Sequence, residues 1–250
     1  MHLDCPGLVL AAKDTAENDR LLTILTADVG VVTAFANGAR RRNSRLQAAV
    51  QALCYGDFSL YRRRDTYTVD DARAQNVFFG LRADLTRLAL AQYFCALATV
   101  LAPAEHGGAD FLQLLLLALT CLDKQRHAPV LIKPAVELRL LSLAGWTPDL
   151  SRCRVCGADT LAGDFVTLDL HEGNFICADE PPQAGERIGL GVLSAMRHIC
   201  DAPLRRLFAF TLPAPSLARL GEVCEALVRV HIPERTRAVW DTLAFYQELC

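Results

Sequence analysis

The hydrophobic period of this chain changes near residue 80, and that change limits which folds it can adopt. Before it, short aliphatic and β-branched runs are separated by Asp, Asn and Gly, which is typical of strands joined by turns. The predicted strands are LVLAA (8–12), LLTILT (21–26), VVTAFA (31–36), FSLY (58–61) and YTVDDA (67–72). SRLQAAVQA (44–52), with Ser44 as N-cap, predicts a short helix after the third strand. This order is that of an OB-fold, although an SH3-like barrel would show a similar pattern.

After residue 80 the apolar residues follow a helical period. The predicted helices cover residues 81–95, 111–122, 131–146, 191–202, 216–232 and 234–249. In the third of them we expect Pro134 in the first turn, where proline is tolerated, and Gly145 at the end. We therefore predict an α+β multidomain chain. It has an OB-fold β-barrel over residues 1–79 and a mainly α-helical domain over 80–250, with a zinc-ribbon-like hairpin insert at 150–182.

Composition places the chain among globular proteins, because 52% of its 250 residues are hydrophobic and 22% are charged. It has ten cysteines at irregular spacings, and its start, MHLDCPG, has no basic-then-apolar secretion signal. The longest apolar stretches, near 88–104 and 111–122, are interrupted by Gln92 and Gln113. They are also shorter than the ~20 residues that a bilayer requires. These features favour a cytoplasmic protein with mostly free thiols.

Arginine is concentrated in two short segments, although the net charge of the whole chain is −2. Residues 38–64 hold seven arginines and one acid, a local charge of +6. The arginines are Arg40, Arg41, Arg42, Arg45, Arg62, Arg63 and Arg64. Guanidinium groups suit phosphates because their donors form a planar fork and their charge is permanent. The pattern predicts a polyanion-binding surface, and the alternative is a pair of solvated turns.

Both arginine segments fall in predicted loops, the first after the third strand and the second between the last two strands. We expect these loops to lie near the same face of the barrel. Phe35, Phe58 and Tyr61 are candidate stacking faces for bases. At least two of these three rings are expected in the barrel core.

The cysteine segment has the spacing C-x2-C-x20-C-x2-E, in which a symmetrical zinc ribbon would end on a fourth cysteine. FVTLDL (165–170) and FIC (175–177) predict a hairpin between the two halves. The candidate ligands are Cys153, Cys156, Cys177 and Glu180, with Asp179 and the more distant His171 as other choices for the fourth position. Two interpretations stay open. Three thiolates and a carboxylate bind zinc, or the chain has lost the metal and keeps three thiols on a hairpin.

Motifs of enzymatic chemistry are missing from the sequence. There is no G-x-x-x-x-G-K-[ST] for a nucleotide, and GLGVLS (189–194) lacks the third glycine of a dinucleotide fingerprint. The His171–Glu172 pair follows the C-x-x-C, which is the wrong order for a zinc deaminase. We therefore expect a protein that is not an enzyme and that uses no nucleotide cofactor.

Four segments, in order and at this spacing, resemble the RecO family of bacterial recombination mediators. They are NDRLLTILTADVGVVTAFANGARRRNSRLQAAVQ (18–51), LRADLTRLALAQYF (81–94), VELRLLSLAGWTPDLSRCRVCG (136–157) and PERTRAVWDTL (233–243). The resemblance implies an N-terminal OB-fold and a helical domain with a zinc-ribbon insert. It also implies binding of single- and double-stranded DNA, annealing of complementary strands, and a cytoplasmic, nucleoid-associated place in DNA repair and recombination after DNA damage.

The resemblance further implies three protein contacts of the RecF pathway. These are RecR as partner, the acidic C-terminal tail of single-strand-binding protein, and help in loading RecA onto coated strands. Carried over by position, Gly38, Arg40, Arg41, Ser44 and Arg45 fall in the family's basic loop, and Cys153, Cys156 and Cys177 on its cysteine positions. Candidate contacts for the acidic tail are Lys133, Arg139, Arg205 and Arg206. Glu180 departs from the family's fourth cysteine, as Pro134 and Ala135 do from expected basic residues.

A second class of function fits the same residues. A helical interaction scaffold without catalysis would use the basic barrel to bind an acidic protein instead of DNA. The response to salt separates the two, since DNA binding releases counterions in proportion to the phosphates contacted.

Overall fold

The computed structural model describes residues 2–250 except 16, 64, 65, 105, 106, 159–163 and 178–184. The chain divides into two compact units, residues 1–126 with 238–250, and residues 127–237. The strands are β1 (His2–Asp14), β2 (Arg20–Thr26), β3 (Gly30–Ala36), β4 (Tyr55–Arg63), β5 (Thr66–Asn76), β6 (Asp149–Cys153), β7 (Phe165–Asp169), β8 (Asn174–Cys177) and β9 (Glu186–Gly189). The α-helices are α1 (Leu85–Leu101), α2 (Ala109–Asp123), α3 (Pro129–Leu143), α4 (Leu190–Asp201), α5 (Ala214–His231) and α6 (Arg237–Gln247). Short 3₁₀ turns cover Phe79–Ala83 and Leu204–Arg206.

The first five strands form a closed barrel in the order β1-β2-β3-β5-β4. β1 closes it, because residues 7–14 pair with β2 while residues 2–8 pair with β4. A register shift between Val9 and Ala11 lets one strand serve both neighbours. β3 and β5 run parallel and the other neighbours are antiparallel. This order and the parallel pair identify an OB-fold and not an SH3-like barrel.

Alternation of side chains fills the barrel from within. Along β3, residues 30, 32, 34 and 36 are buried while the residues between them are more exposed. Phe58 and Leu60 of β4 enter the same core from the facing strand, and both are almost completely buried. Two-residue periodicity in the sequence therefore determines which side of each strand faces solvent.

Residues 44–52 do not form the predicted helix. They follow consecutive turns, in which the backbone N–H of Gln47 donates to Ser44, and those of Ala49 and Val50 donate to Leu46. Ala49 and Val50 are buried, and Val50 belongs to the barrel core. The segment packs against the barrel core. Because so short a run has only a weak helical propensity, burial of these side chains decides its conformation.

α1 and α2 join the barrel in the first compact unit. The N–H of Val31 donates to Pro103 at 2.9 Å, and that of Gly108 donates to Ala27 at 2.9 Å. The carboxylate of Asp123 accepts the N–H of Gly80 at 2.6 Å. Thus the strand-to-helix change falls near residue 79, as the sequence predicts, whereas the compact unit continues to residue 126 and takes in the C-terminal residues 238–250.

The second unit combines a small sheet with three helices. Its strand order is β6-β8-β7-β9, with β7 and β8 forming the predicted hairpin. The sequence did not predict β6 or β9, which are only five and four residues long. α3 packs against α4 and α5, and its residues 132–138 are all buried.

The six helices predicted after residue 80 all occur, with ends shifted by a few residues. The largest consequence is in α3, which begins at Pro129, so that Pro134 lies inside the helix and not in its first turn. Proline there cannot donate the usual backbone hydrogen bond. Among the residues that the structure describes, no helix is both long enough and apolar enough to cross a bilayer.

Close approach of β4 and β5 requires a glycine at position 56. A Cβ on Gly56 would overlap the backbone of Arg73, whereas one on Gly107 would meet only Ala27 at 3.6 Å. We expect Gly56→Ala to destabilise the barrel unit by about 1–3 kcal/mol, because a rigid backbone must move to accept the methyl group. Thermal unfolding followed by circular dichroism would show a lower Tm for Gly56→Ala than for the matched Gly107→Ala. Equal melting temperatures would contradict the close approach.

Candidate functional site

The arginine segments lie at different levels along β3, the first beyond its end and the second on β4, level with its middle. Arg63 is opposite Thr66 and Arg62 opposite Tyr67, at the start of β5. Tyr67 in turn is level with Ala34, whereas residues 37–45 follow the end of β3 at Ala36. The two basic turns therefore bracket about four residues of β3, roughly 13 Å at 3.3 Å per residue. The two segments are separated along the strands, the expectation that they share one face of the barrel stays a prediction, and Arg64 lies outside the described residues.

Between the two basic turns, aromatic rings line the outer face of the barrel. Pairing of neighbouring strands places Leu21, Phe35, Thr68, Tyr61 and His2 in one row across the sheet. We call this the cross-strand row. Phe35 is 37% exposed and Tyr61 is 42% exposed, and the His2 and Tyr61 ring centroids are 5.0 Å apart. Phe35 and Tyr61 are two strands apart, about 10 Å.

Of the three predicted stacking rings, only Phe58 is in the core, with 1% of its surface exposed. The prediction that at least two would be buried is wrong. The alternation along β4 could have predicted this, because Phe58 and Leu60 face inward and Tyr61 must then face outward.

The first basic turn is held in place by hydrogen bonds. Gly38 adopts φ +64°, which glycine tolerates, and its N–H donates to the Asp19 carboxylate at 2.7 Å. Arg40 lies 3.4 Å from Asp14 and donates to the Glu17 carbonyl. The side chains that follow in the turn are exposed to solvent. They are Arg41, Arg42 and Arg45.

The sequence did not predict the polar residues that gather around Arg40. They form a cavity of about 420 Å³ beside the first basic turn. Its charged and amide side chains are Arg20, Arg40, Arg82, Gln47, Gln51 and Gln92. These residues come from four separate parts of the chain, so no local pattern in the sequence reveals them.

Acidic residues occupy a different part of the barrel surface. Asp4, Asp57 and Asp71 lie exposed on β1, β4 and β5, and line one shallow hollow. Asp4 accepts a hydrogen bond from Ser59, and Asp57 accepts one from Gln75 at 2.6 Å. An acidic side chain also reaches the cross-strand row itself, because Asp70 lies 3.4 Å from His2. In this chain of net charge −2 the basic surface is therefore local to the two arginine segments.

In the second unit, three thiols meet at the base of the β7–β8 hairpin. Sγ atoms of Cys153, Cys156 and Cys177 all lie within 4.8 Å of one another, and the Cys156–Cys177 pair is 3.5 Å apart. Three ligands at ~2.3 Å from a tetrahedral ion are separated by roughly 3.8 Å, so the cluster is close to the required geometry. The arrangement can hold a metal ion. Glu180 and Asp179 lie outside the described residues.

The environment of Cys153 favours its thiolate form. Burial raises the pKa of this thiol, but backbone N–H groups of Cys156, Cys177 and Val155 outweigh burial and lower the pKa to about 7. The N–H of Cys177 lies 3.4 Å from the Cys153 sulfur. Thiolates are the form that binds metal. By contrast His171 lies elsewhere in the unit, lining a hollow with Trp146 and His231.

Comparison with known proteins agrees with this architecture. A family model for the N-terminal part of recombination protein O matches residues 1–78, and one for its C-terminal part matches residues 82–238. A DNA repair protein RecO from Acetivibrio thermocellus is 30% identical over 250 residues, which is 99% of this chain and 97% of that protein. Relatives of the same name from Desulforudis audaxviator and Anaeromyxobacter sp. strain K are both 32% identical; they cover 97% and 93% of this chain, and 95% and 92% of their own lengths.

The chain belongs to the RecO family. Membership confirms the resemblance found in the sequence and makes this a member of a family of DNA repair proteins. The two RecO models meet between residues 78 and 82, at the change from strand to helix. The OB-fold barrel is thus the N-terminal part of a RecO chain.

The basic residues predicted to meet an acidic tail have different surroundings in this RecO-family chain. Lys133 is 7% exposed, and its ammonium contacts Glu137 at 2.8 Å and Glu225 at 3.0 Å. Arg139 is half-buried and donates to the carbonyl of Ala202. These two side chains contribute to the helical core in this arrangement.

The other two candidates, Arg205 and Arg206, are exposed on the 3₁₀ turn between α4 and α5. They remain accessible to a partner, and the contact with an acidic tail stays a prediction.

The thiol cluster predicts metal binding that depends on pH. We expect the purified protein to carry a soft divalent metal ion. Cys177→Ser should abolish metal binding, whereas the control Cys250→Ser, at an exposed cysteine, should leave the metal content unchanged. Since the pKa of Cys153 is about 7, protons compete with the metal increasingly below that pH. Elemental analysis after dialysis at neutral and acidic pH measures both effects. If protein purified at neutral pH is found to contain no metal, the three thiols do not form a metal site.

Proposed function

We propose that this RecO-family protein is a DNA-binding mediator of repair and recombination that works without catalytic turnover. The observation that carries the proposal is the exposed cross-strand row, which has one arginine segment on each side of it, the first after β3 and the second at the end of β4. Single strands bind proteins through this combination, with a basic groove following the backbone and aromatic faces stacking bases. The absence of nucleotide-binding motifs from the sequence agrees with a mediator that needs no ATP.

The spacing of the basic turns supports contact with several phosphates at once. Roughly 13 Å along β3 corresponds to about four nucleotide steps of B-form DNA, measured as the rise of 3.4 Å per step along the duplex axis. Arg62 and Arg63 would contact phosphates at one end, and Arg40, Arg41, Arg42 and Arg45 at the other. Backbone contacts carry no sequence information, so both single- and double-stranded DNA are expected to bind.

Annealing follows from the same surface. A protein that neutralises phosphates on two strands reduces their repulsion and lets complementary bases meet. We propose that the protein anneals strands in this way, and that with RecR it helps to load RecA onto strands coated by single-strand-binding protein. The exposed Arg205 and Arg206 are the proposed contacts for the acidic tail of that protein.

Zinc is the metal proposed for the thiol cluster, with Glu180 as fourth ligand. Its role would be structural, since three thiolates and a carboxylate close the tetrahedral shell and leave no position for substrate. The ion would link β6 to the β7–β8 hairpin. We place the protein in the cytoplasm, on nucleoid DNA.

A non-catalytic scaffold that binds an acidic protein is the second candidate. One observation favours it, namely that Arg20 and Arg40 already contact the carboxylate of Asp14 at 2.9 and 3.4 Å. The arginine turns can therefore accept carboxylates as well as phosphates.

Strand annealing without ATP tests the proposed function. We expect the parent protein to accelerate pairing of complementary oligonucleotides, and Arg40→Ala/Arg41→Ala/Arg42→Ala to lose most of the acceleration. Contact with six to ten phosphates implies a loss of about 10³–10⁵ in affinity between 50 and 200 mM salt. The triple variant should reduce the slope of log K against log salt by roughly two, at about 0.7 per phosphate on a single strand.

The matched control removes three exposed arginines from the other unit, as Arg152→Ala/Arg235→Ala/Arg237→Ala. It changes net charge equally and should bind oligonucleotides like the parent. If the barrel variant also binds like the parent at low salt, the basic turn does not contact DNA. Binding of an acidic polypeptide by the parent, without binding of DNA at the same low salt, would favour the scaffold.

The cross-strand row makes a separate prediction. Replacing Phe35 or Tyr61 by alanine removes a stacking face, which weakens single-strand binding by about 1–3 kcal/mol per base without changing the salt slope. Phe79 is 76% exposed but lies on the 3₁₀ turn outside the row, so Phe79→Ala is the matched control. Fluorescence anisotropy at fixed salt measures the three affinities. If all three variants lost affinity equally, the cross-strand row would not be part of the DNA interface.

A further inference from the structure

The cavity beside the first basic turn has a mixed lining. Its volume, about 420 Å³, lies within the ~300–1,000 Å³ of small-ligand pockets. Three arginines and three glutamines supply the polar groups, and Ala52, Leu53 and Leu88 supply apolar wall. A site for an inorganic anion alone would need no apolar wall of this kind. The lining suits a ligand that combines a negative charge, a flat apolar body and a polar edge.

Hydrogen bonds hold the guanidinium groups of the cavity in position. Arg20 donates to Asp14 at 2.9 Å and to the carbonyl of Val50 at 3.4 Å. Arg82 donates to the side-chain oxygen of Gln51 at 3.2 Å. Asp14 compensates part of the charge, and the three arginines still leave the cavity positive. Charges fixed before binding lose little freedom when a phosphate arrives.

Backbone strain is present in the wall of the same cavity. The backbone of Leu53 adopts φ +65°, a conformation that residues other than glycine rarely take. Two hydrogen bonds to β1 hold it there, from the N–H of Leu53 to Val9 at 2.8 Å and from the N–H of Val9 to Cys54 at 2.9 Å. Strained backbone of this kind is concentrated at ligand sites, where surrounding structure maintains it.

We propose that this cavity receives one unstacked nucleotide of a single DNA strand. Its phosphate lies against the arginines, its base against Leu53 and Leu88, and the base edge meets the glutamine amides, which offer both donors and acceptors. The inference rests on the proposed function, because the strand must first follow the basic turn at Arg40. It adds a preference for single strands and frayed ends, since a base paired inside a duplex cannot enter.

A fluorescent base tests the proposal. We would use a thymidine oligonucleotide that carries a single 2-aminopurine, whose emission rises when it leaves the stack and enters a cavity without aromatic walls. Ala52→Phe fills the cavity, while Ala48→Phe adds the same ring at an exposed position of the same turn. We expect Ala52→Phe to lose the emission increase and to bind at least about fivefold more weakly, with a salt slope lower by about 0.7 for the one phosphate that no longer reaches the arginines. Ala48→Phe should behave like the parent.

Two results would overturn the proposal. One is equal affinity and emission for Ala52→Phe and Ala48→Phe. The other is an oligonucleotide with abasic positions that binds as tightly as the intact strand, which would leave only phosphate contacts. If Ala52→Phe fails to fold by circular dichroism, Gln92→Leu on the exposed side of α1 replaces it in the same comparison. Absence of any oligonucleotide binding by the parent at low salt would instead refute the proposed function itself.

Discussion

Closure of the barrel by β1 is the constraint on which the candidate interface depends. One 13-residue strand pairs with β2 through its second half and with β4 through its first half. β2, β3, β5 and β4 pair directly with one another, and β1 covers the two edges that this sheet would otherwise leave open and adds His2 to the cross-strand row. A register slip of one residue would turn Phe35 and Tyr61 inward. The register shift between Val9 and Ala11 falls within the β1–β2 pairing, just after the last residue that pairs with β4.

Local patterns in the sequence predicted local structure well. The alternation of the first 76 residues and the helical period after them predicted the strands and helices. The first arginine run lies in turns as predicted, whereas Arg62 and Arg63 are the last residues of β4 and not part of a turn. The segment 44–52 failed because burial of Val50 decided its conformation, and a weak propensity could not compete. β6 and β9 were missed because each is too short to show a period.

What the sequence could not predict depends on contacts between distant residues. The parallel pairing of β3 with β5 separates the two arginine turns, and no local pattern indicates that pairing. The cavity around Arg40 takes residues from 12 to 92, so it appears only when the barrel is closed and α1 is in place. Membership of the RecO family identified the kind of protein, at about 30% identity, but did not determine where these side chains lie.

Lys133 shows the same difference between a residue's type and its role. As a basic residue it was a natural candidate to meet an acidic tail, yet it is buried between Glu137 and Glu225. Burial lowers the pKa of Lys133, but the two carboxylates outweigh burial and raise this pKa. Burial likewise raises the pKa of Glu225, but the charge of Lys133 helps to lower it. Removing one partner of such a group typically costs 3–5 kcal/mol, because a buried charge is left uncompensated. An alanine variant at Lys133 would therefore report on stability first. Binding is better tested at Arg205 and Arg206, whose loss leaves no buried charge behind.

The same reasoning explains how a slightly acidic protein can hold a polyanion on its barrel. What matters to a strand is the potential over the path that it follows, and the screening length of ~8 Å at physiological salt makes that potential local. Asp4, Asp57 and Asp71 lie on β1, β4 and β5, whereas the first arginine segment follows β3 and Arg62 and Arg63 end β4. In the proposed function the carboxylates repel a strand from one part of the barrel while the guanidinium groups attract it to another. Under that proposal a bound strand would follow the face that carries Phe35 and pass the cavity at Arg40.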